Sequence, residues 1–179
     1  MELIFSIVVL LMQILFGVIF GVAAVYLSLR FFDKMTGDID EMKELKKGNV
    51  AMAIMLFSLM LGIGLILSTG VNNFGVIFSN IFENKYSFPL FLVALVLAVI
   101  ELLVIVLISV FVIYVSISVL DKLTVGLNEM SELKKGNIAV GLEISAVILV
   151  ISIIMMGAMQ GLENLPLFNP LTYVKMLGL

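Results

Sequence analysis

The chain has 179 residues, 63% hydrophobic and 13% charged, with a mean hydropathy of +1.28 and a formal charge of −3. A water-soluble domain of this length needs far more polar surface than that to cover its core, so a soluble globular protein is excluded. The absence of Cys and His excludes disulfides, thiolate chemistry, imidazole catalysis and the usual zinc sites.

Four apolar runs are long enough to cross a bilayer, which takes ~20 residues. They cover roughly residues 3–31, 50–71, 90–120 and 138–160. The first is no cleavable signal peptide: Met1 and Glu2 supply no basic n-region, and the run is about twice the usual apolar length. It carries Gln13 and a GxxxG pair, Gly17 and Gly21, which permits close approach of a second helix. That approach serves packing within the chain or a dimer interface.

The polar loop at 32–49 follows, after Tyr26 at the membrane edge. It opens with Asp33, Lys34 and Thr36 and ends in the hexapeptide Glu44-Leu45-Lys46-Lys47-Gly48-Asn49. Asp40 to Lys47 reads as a short surface helix, its acids early and its lysines late, as the helix dipole favours. Met42 and Leu45, three apart, are expected to touch the membrane or the helix ends. Gly48 takes the left-handed conformation that closes a helix, and Asn49 caps the next one. Lys46 and Lys47 lie at headgroup level, where anionic lipid attracts each by about 1 kcal/mol. The loop is thus a structural turn with an interfacial anchor, or a docking site for a cytoplasmic partner. One glycine makes no phosphate cradle.

The second run is lightened by Gly62, Gly64, Ser68 and Gly70. Beyond it, Phe74, Ile77, Phe78, Ile81 and Phe82 fall on one helical face, with Asn73, Asn80, Glu83 and Asn84 turned away. The spacing predicts a separate short helix over 72–89 in the outer interface, ending before Pro89 starts the third run. The third run holds Glu101, twelve residues past Pro89 and so ~18 Å along its helix. The polar loop at 121–137 contains Asp121, Thr124, Lys134, Lys135, Gly136 and Asn137. In the fourth run Glu143 lies five residues in, and Gly157 and Gly161 form a second GxxxG. The tail, 161–179, is interrupted by Pro166 and Pro170 and touches the interface more weakly. The linker and tail anchor the fold or cap a vestibule. The 12 methionines are spread as flexible filler and form no copper site.

Shifted by 88 residues, the chain falls on itself: FDKMTGDIDEMKELKKGNVA meets LDKLTVGLNEMSELKKGNIA. Tyr26 meets Tyr114, Ser28 meets Ser116, and Gln13 meets Glu101. The chain is therefore a duplicated unit of helix, polar loop and helix. Two crossings per unit give both copies the same polarity, unlike the inverted repeats of many transporters. Seven of the ten basic residues fall in the two loops and an eighth, Arg30, just before the first, and the positive-inside rule assigns this side to the cytoplasm with both termini outside.

The pattern Tyr-x-Ser, Asp-Lys-hydrophobic-Thr and Glu-Leu-Lys-Lys-Gly-Asn-hydrophobic-Ala, present over 26–51 and 114–139, resembles the YjfL-type prokaryotic membrane proteins. These are a family of unknown function, commonly built as tandem two-helix repeats. The resemblance implies a prokaryotic plasma membrane and no particular reaction. It thins out in the helices, where Glu143 stands opposite Met55.

The expected fold is all-α: four transmembrane helices as two parallel hairpin repeats with pseudo-twofold symmetry along the membrane normal, plus short interfacial helices. Glu101 is neutralised by burial and bonds Gln13 across the two copies, as interhelical glue or as a proton or cation relay. Glu143 is expected to be satisfied by a tyrosine hydroxyl, by Ser116 or by water. A transport path would be lined by Gln13, Glu101, Ser109 and Ser145; a dry bundle would mark a non-catalytic module. The expected partners are the lipid bilayer and either a second copy or another membrane protein, with no cofactor and no nucleic acid.

Overall fold

A computed structural model describes residues 2–36, 40–84, 87–124, 126, 128–161, 165 and 172. The described residues form six helices and no strand. In chain order they are α1 (Glu2–Thr36), α2 (Glu41–Lys46), α3 (Val50–Asn84), α4 (Phe88–Leu123), α5 (Glu129–Lys134) and α6 (Ile138–Met159). Four of these are long and apolar enough to cross a membrane. α2 joins α1 to α3 and α5 joins α4 to α6, so the chain is two helical hairpins in tandem.

The local signals act as the residue types dictate. Asp40 and Asn128 cap the short helices, each accepting from the backbone N–H three residues on. Gly48 and Gly136 take φ of +78° and +83°, which lets Gly48 and Asn49 return their N–H groups to Leu45 and Glu44. The helix reverses there, and Asn49 Oδ1 then accepts from Met52 N to start α3. Ser87 caps α4, with Pro89 in the first turn where its missing N–H costs nothing.

One expectation fails in this part of the fold. The segment at 72–84 is no separate interfacial helix but the continuation of α3, 35 residues in all against 22 in α6. α3 is ~52 Å long at 1.5 Å per residue, longer than a ~30 Å hydrocarbon layer. Phe74, Ile77, Phe78 and Ile81 are buried in the bundle. Phe74 stacks on Phe16 of α1 at 5.3 Å, and Phe78 meets Phe91 of α4 edge-on at 5.3 Å. This aromatic run gives the helix packing partners along its extra length. Asn80 and 82–86 lie outside the described side chains, as does most of the tail beyond 161.

α3 is the hub. It packs against α1, α4 and α6 and receives both short helices, whereas α1 and α6 scarcely touch. Small residues set the closest approaches. Gly70 lies under Leu102 and Ile105 of α4, and a side chain at Gly62 would collide with Ser152 of α6. A Cβ on Gly141 would stand 2.8 Å from the Ala51 carbonyl oxygen. The first GxxxG also packs within the chain, Gly17 beside Val71 and Gly21 beside Leu67. Gly157, in the second, has open space around it. Lipid tails are as apolar as these side chains, so contact density and interhelical hydrogen bonds hold the bundle, not hydrophobic burial.

Candidate functional site

Polar groups inside the bundle converge on one turn of α3. Glu101 is 1% exposed, and its Oε1 accepts from Asn73 Nδ2 at 2.8 Å. Gln13, which occupies the equivalent position in the first repeat, donates from Nε2 to the Val71 carbonyl at 3.1 Å. Its amide also fills the space beside Gly75 where a side chain would otherwise stand. The expected Gln13–Glu101 bond therefore does not form. Both repeat-equivalent groups turn to α3 instead and reach residues 71–75 separately. Asn73, expected to point away, is the residue that sequence reasoning missed. Its signal was a polar pair, Asn72-Asn73, directly after an apolar run.

The other groups expected to line a path are committed to their own helices. Ser109 Oγ donates to the Val106 carbonyl at 2.8 Å and Ser145 Oγ to Gly141 at 2.7 Å. Ser58 and Thr69 do the same. Such back-bonding satisfies a buried hydroxyl without a solvent path. Of its three expected partners, Glu143 uses neither of the two side-chain ones. It reaches neither tyrosine nor Ser116 but lies exposed on the outer face of α6. Ser116 donates to Val112 instead, and Tyr26 and Tyr114 are themselves largely exposed. Arg30 rests over the Tyr26 ring at 5.3 Å.

At the polar end the two hexapeptides come together, with Gly136 beside the Asn49 side chain. Asn49 Nδ2 donates to the Leu133 carbonyl of the other repeat at 2.9 Å and to Glu44 Oε2 at 3.1 Å. Asn137 bonds only within its own turn, to Glu132 at 3.0 Å, while its Oδ1 caps Ala139. Lys47 and Lys135 pair with Glu44 and Glu132 at 2.6 Å each. These bonds hold both carboxyls below the usual carboxylate range, the lysine first and the asparagine second. Lys46 and Lys134 face outward. Thr124 Oγ1 donates to Leu120 at 2.9 Å. The Thr36 and Asp121 side chains lie outside the described set.

Beneath the turns each repeat buries a glutamate at matching positions, Glu41 and Glu129. Burial first, and Asp33 beside it second, together raise Glu41 from 4.5 to about 7. Met42 and Leu45 are both exposed on the bundle, whereas Leu133 of the second copy is fully buried. Among the described residues no group of acids, Cys or His is arranged to hold a metal ion.

A family model described as Domain of Unknown Function (DUF350) matches twice, over residues 5–98 and 91–178. The chain belongs to the DUF350 family. The two matches follow the two hairpins and agree with the YjfL-type resemblance of the loop motifs. No curated protein and no solved structure matches the chain. Within this DUF350 chain the hydrogen bonds divide the loop signature. Gly48, Asn49, Gly136 and Asn137 build the turns, Lys47 and Lys135 brace them, and Lys46 and Lys134 stay on the outside.

Proposed function

We propose that this DUF350 protein is a non-catalytic module of a prokaryotic plasma membrane, one that associates with its own kind or with other envelope components. Its loops at 32–49 and 121–137 lie in the cytoplasm, as the positive-inside rule requires. The observation that carries the reading is the sealed state of the mid-bilayer polar groups. Glu101 is buried against Asn73, and Gln13 is engaged with a backbone carbonyl. Polar groups with protein partners on an adjoining helix act as interhelical glue, worth about 1 kcal/mol each.

The competing reading gives Glu101 a proton or cation relay, because an ionisable group at this depth is costly and commonly functional. Flux in proteoliposomes separates the two. Under an imposed potential, proton and cation leak should equal that of protein-free vesicles. Leak above that level, abolished by Glu101→Gln, would replace the module with a conducting subunit.

A further inference from the structure

Each repeat opens a surface hollow at the polar end of the bundle, beside the last turns of its first helix, and the two hollows differ in charge. That of the first repeat, about 530 Å³, is lined by Arg30 together with Asp33, Asp40 and Glu41. That of the second, about 650 Å³, is lined by Lys34, Tyr114, Val115, Ser118, Val119 and Lys122. No carboxyl group lines it among the described residues. Tyr114, Ser118 and Lys122 stand four apart on one face of α4, a line ~12 Å long at 1.5 Å per residue. Lys34 comes from the last turn of α1 and Lys122 from the last turn of α4. Both helices run towards the polar end and pack on each other, so the two ammonium groups meet at one level.

We propose that this second hollow binds an anionic phospholipid, its phosphate held between Lys34 and Lys122 and an acyl chain laid along Val115 and Val119. Basic pockets between membrane helices recognise lipid headgroups in this way. The polar groups on α4 are placed for it. Lys122 is exposed and forms no ion pair with a described carboxylate. Ser109, Ser116 and Ser145 return their hydroxyls to their own helices, whereas Ser118 makes no hydrogen bond with a described residue. Ser118 lies one turn inside Lys122, ~6 Å deeper. At that depth its hydroxyl meets the glycerol esters, and it can donate to an ester carbonyl.

A free phosphate would need only the lysines. The apolar wall below them points to a lipid: Val115 and Val119 are exposed, on the side of α4 that continues into the hydrocarbon. The floor of the fissure is closed. Beneath Tyr114, the residues Ser28, Phe32, Ile113 and Ile117 leave a hollow of only about 10 Å³ between α1 and α4, about the room of one water. The lipid therefore stays in the outer fissure and does not enter the bundle. In the first repeat the three acids around Arg30 repel the same headgroup, so the two hollows are not equivalent sites. The inference goes beyond the function proposed above, and it stands whether the centre at Glu101 is sealed or conducting.

The chain has no tryptophan, so a single introduced one reports which lipid touches it. The full chain carrying Val119→Trp is reconstituted in phosphatidylcholine vesicles with a minor fraction of acyl-brominated phosphatidylglycerol. A parallel sample holds the same fraction of brominated phosphatidylcholine. Quenching by the anionic lipid should exceed quenching by the neutral one several-fold. Phe57→Trp, on the exposed face of α3, should give a ratio near unity. Lys34→Gln with Lys122→Gln should bring the Val119→Trp ratio down to that level, and Lys122→Gln alone should lower it part-way. Both lysines are exposed, so neither change disturbs the core. A ratio near unity at Val119→Trp, an equal preference at Phe57→Trp, or a preference that survives loss of both lysines overturns the inference. So does inorganic phosphate that abolishes the preference where chloride of equal ionic strength does not, because the lysines would then hold the free anion and not a lipid.

Discussion

A carboxyl group within or beside the membrane is costly to bury alone, and three glutamates of this chain are placed in three ways. Glu101 takes an asparagine from the neighbouring helix, Glu143 is left at the surface, and Glu41 is buried beside a second carboxyl. Only the first was foreseeable as a buried group, and its partner was misread. Depth follows from counting residues along a helix, but the direction a side chain faces depends on which helices surround it. Glu41 gives the sharpest expectation at this scale. Its carboxyl is raised from 4.5 to about 7 by burial and by Asp33, in a hollow also lined by Arg30 and Asp40. An undocked α2 would ionise near 4.5, so below that value both states are neutral and docking is at its strongest. As pH rises from about 4.5 towards 7 the undocked state loses its proton first, and docking weakens. A nitroxide at Met42→Cys should gain mobility across that window, and Glu41→Gln should flatten the response.

Among the elements, the helices and their caps were legible because they depend on neighbours in sequence. Apolar runs, Ser87 before Pro89, and Gly-Asn after paired lysines each specify a local geometry that the chain adopts. The end of the second span was not legible, because a polar pair at Asn72-Asn73 looks like the end of a membrane helix. It continues because Asn73 is satisfied by Glu101, a residue 28 positions away. Glycine content also looked alike along α3 and α6, yet the glycines differ in what surrounds them. Gly141 has the backbone of Ala51 against it, and Gly157 has open space. Gly141→Ala should therefore force α3 and α6 apart and cost about 1–3 kcal/mol. Gly157→Ala should stay within about 0.5 kcal/mol of the parent. Thermal unfolding in one detergent, on the two variants in parallel, measures the contrast.

For the whole molecule, the duplication sets the polarity and the packing then breaks the equivalence of the halves. α3 sits at the centre and its counterpart α6 at the edge; Asn49 crosses to the other repeat and Asn137 does not. That crossing bond ties the two hexapeptides to one end of the bundle, which two spans per repeat demand. On the orientation proposed above, the positive-inside rule places the basic residues gathered at this end in the cytoplasm. Cysteines at Lys46 and Lys134 should then resist a membrane-impermeant maleimide in intact cells and react after permeabilisation. A cysteine at Ser87, between α3 and α4, should react in intact cells. Reaction of one loop but not the other would separate the two hexapeptides by a membrane, contradicting the 2.9 Å contact from Asn49 to Leu133. Labelling of both loops in intact cells would instead keep the fold and invert its orientation. The lysines would then face the outside against the usual bias, and the hollow around Glu41 would sense external pH.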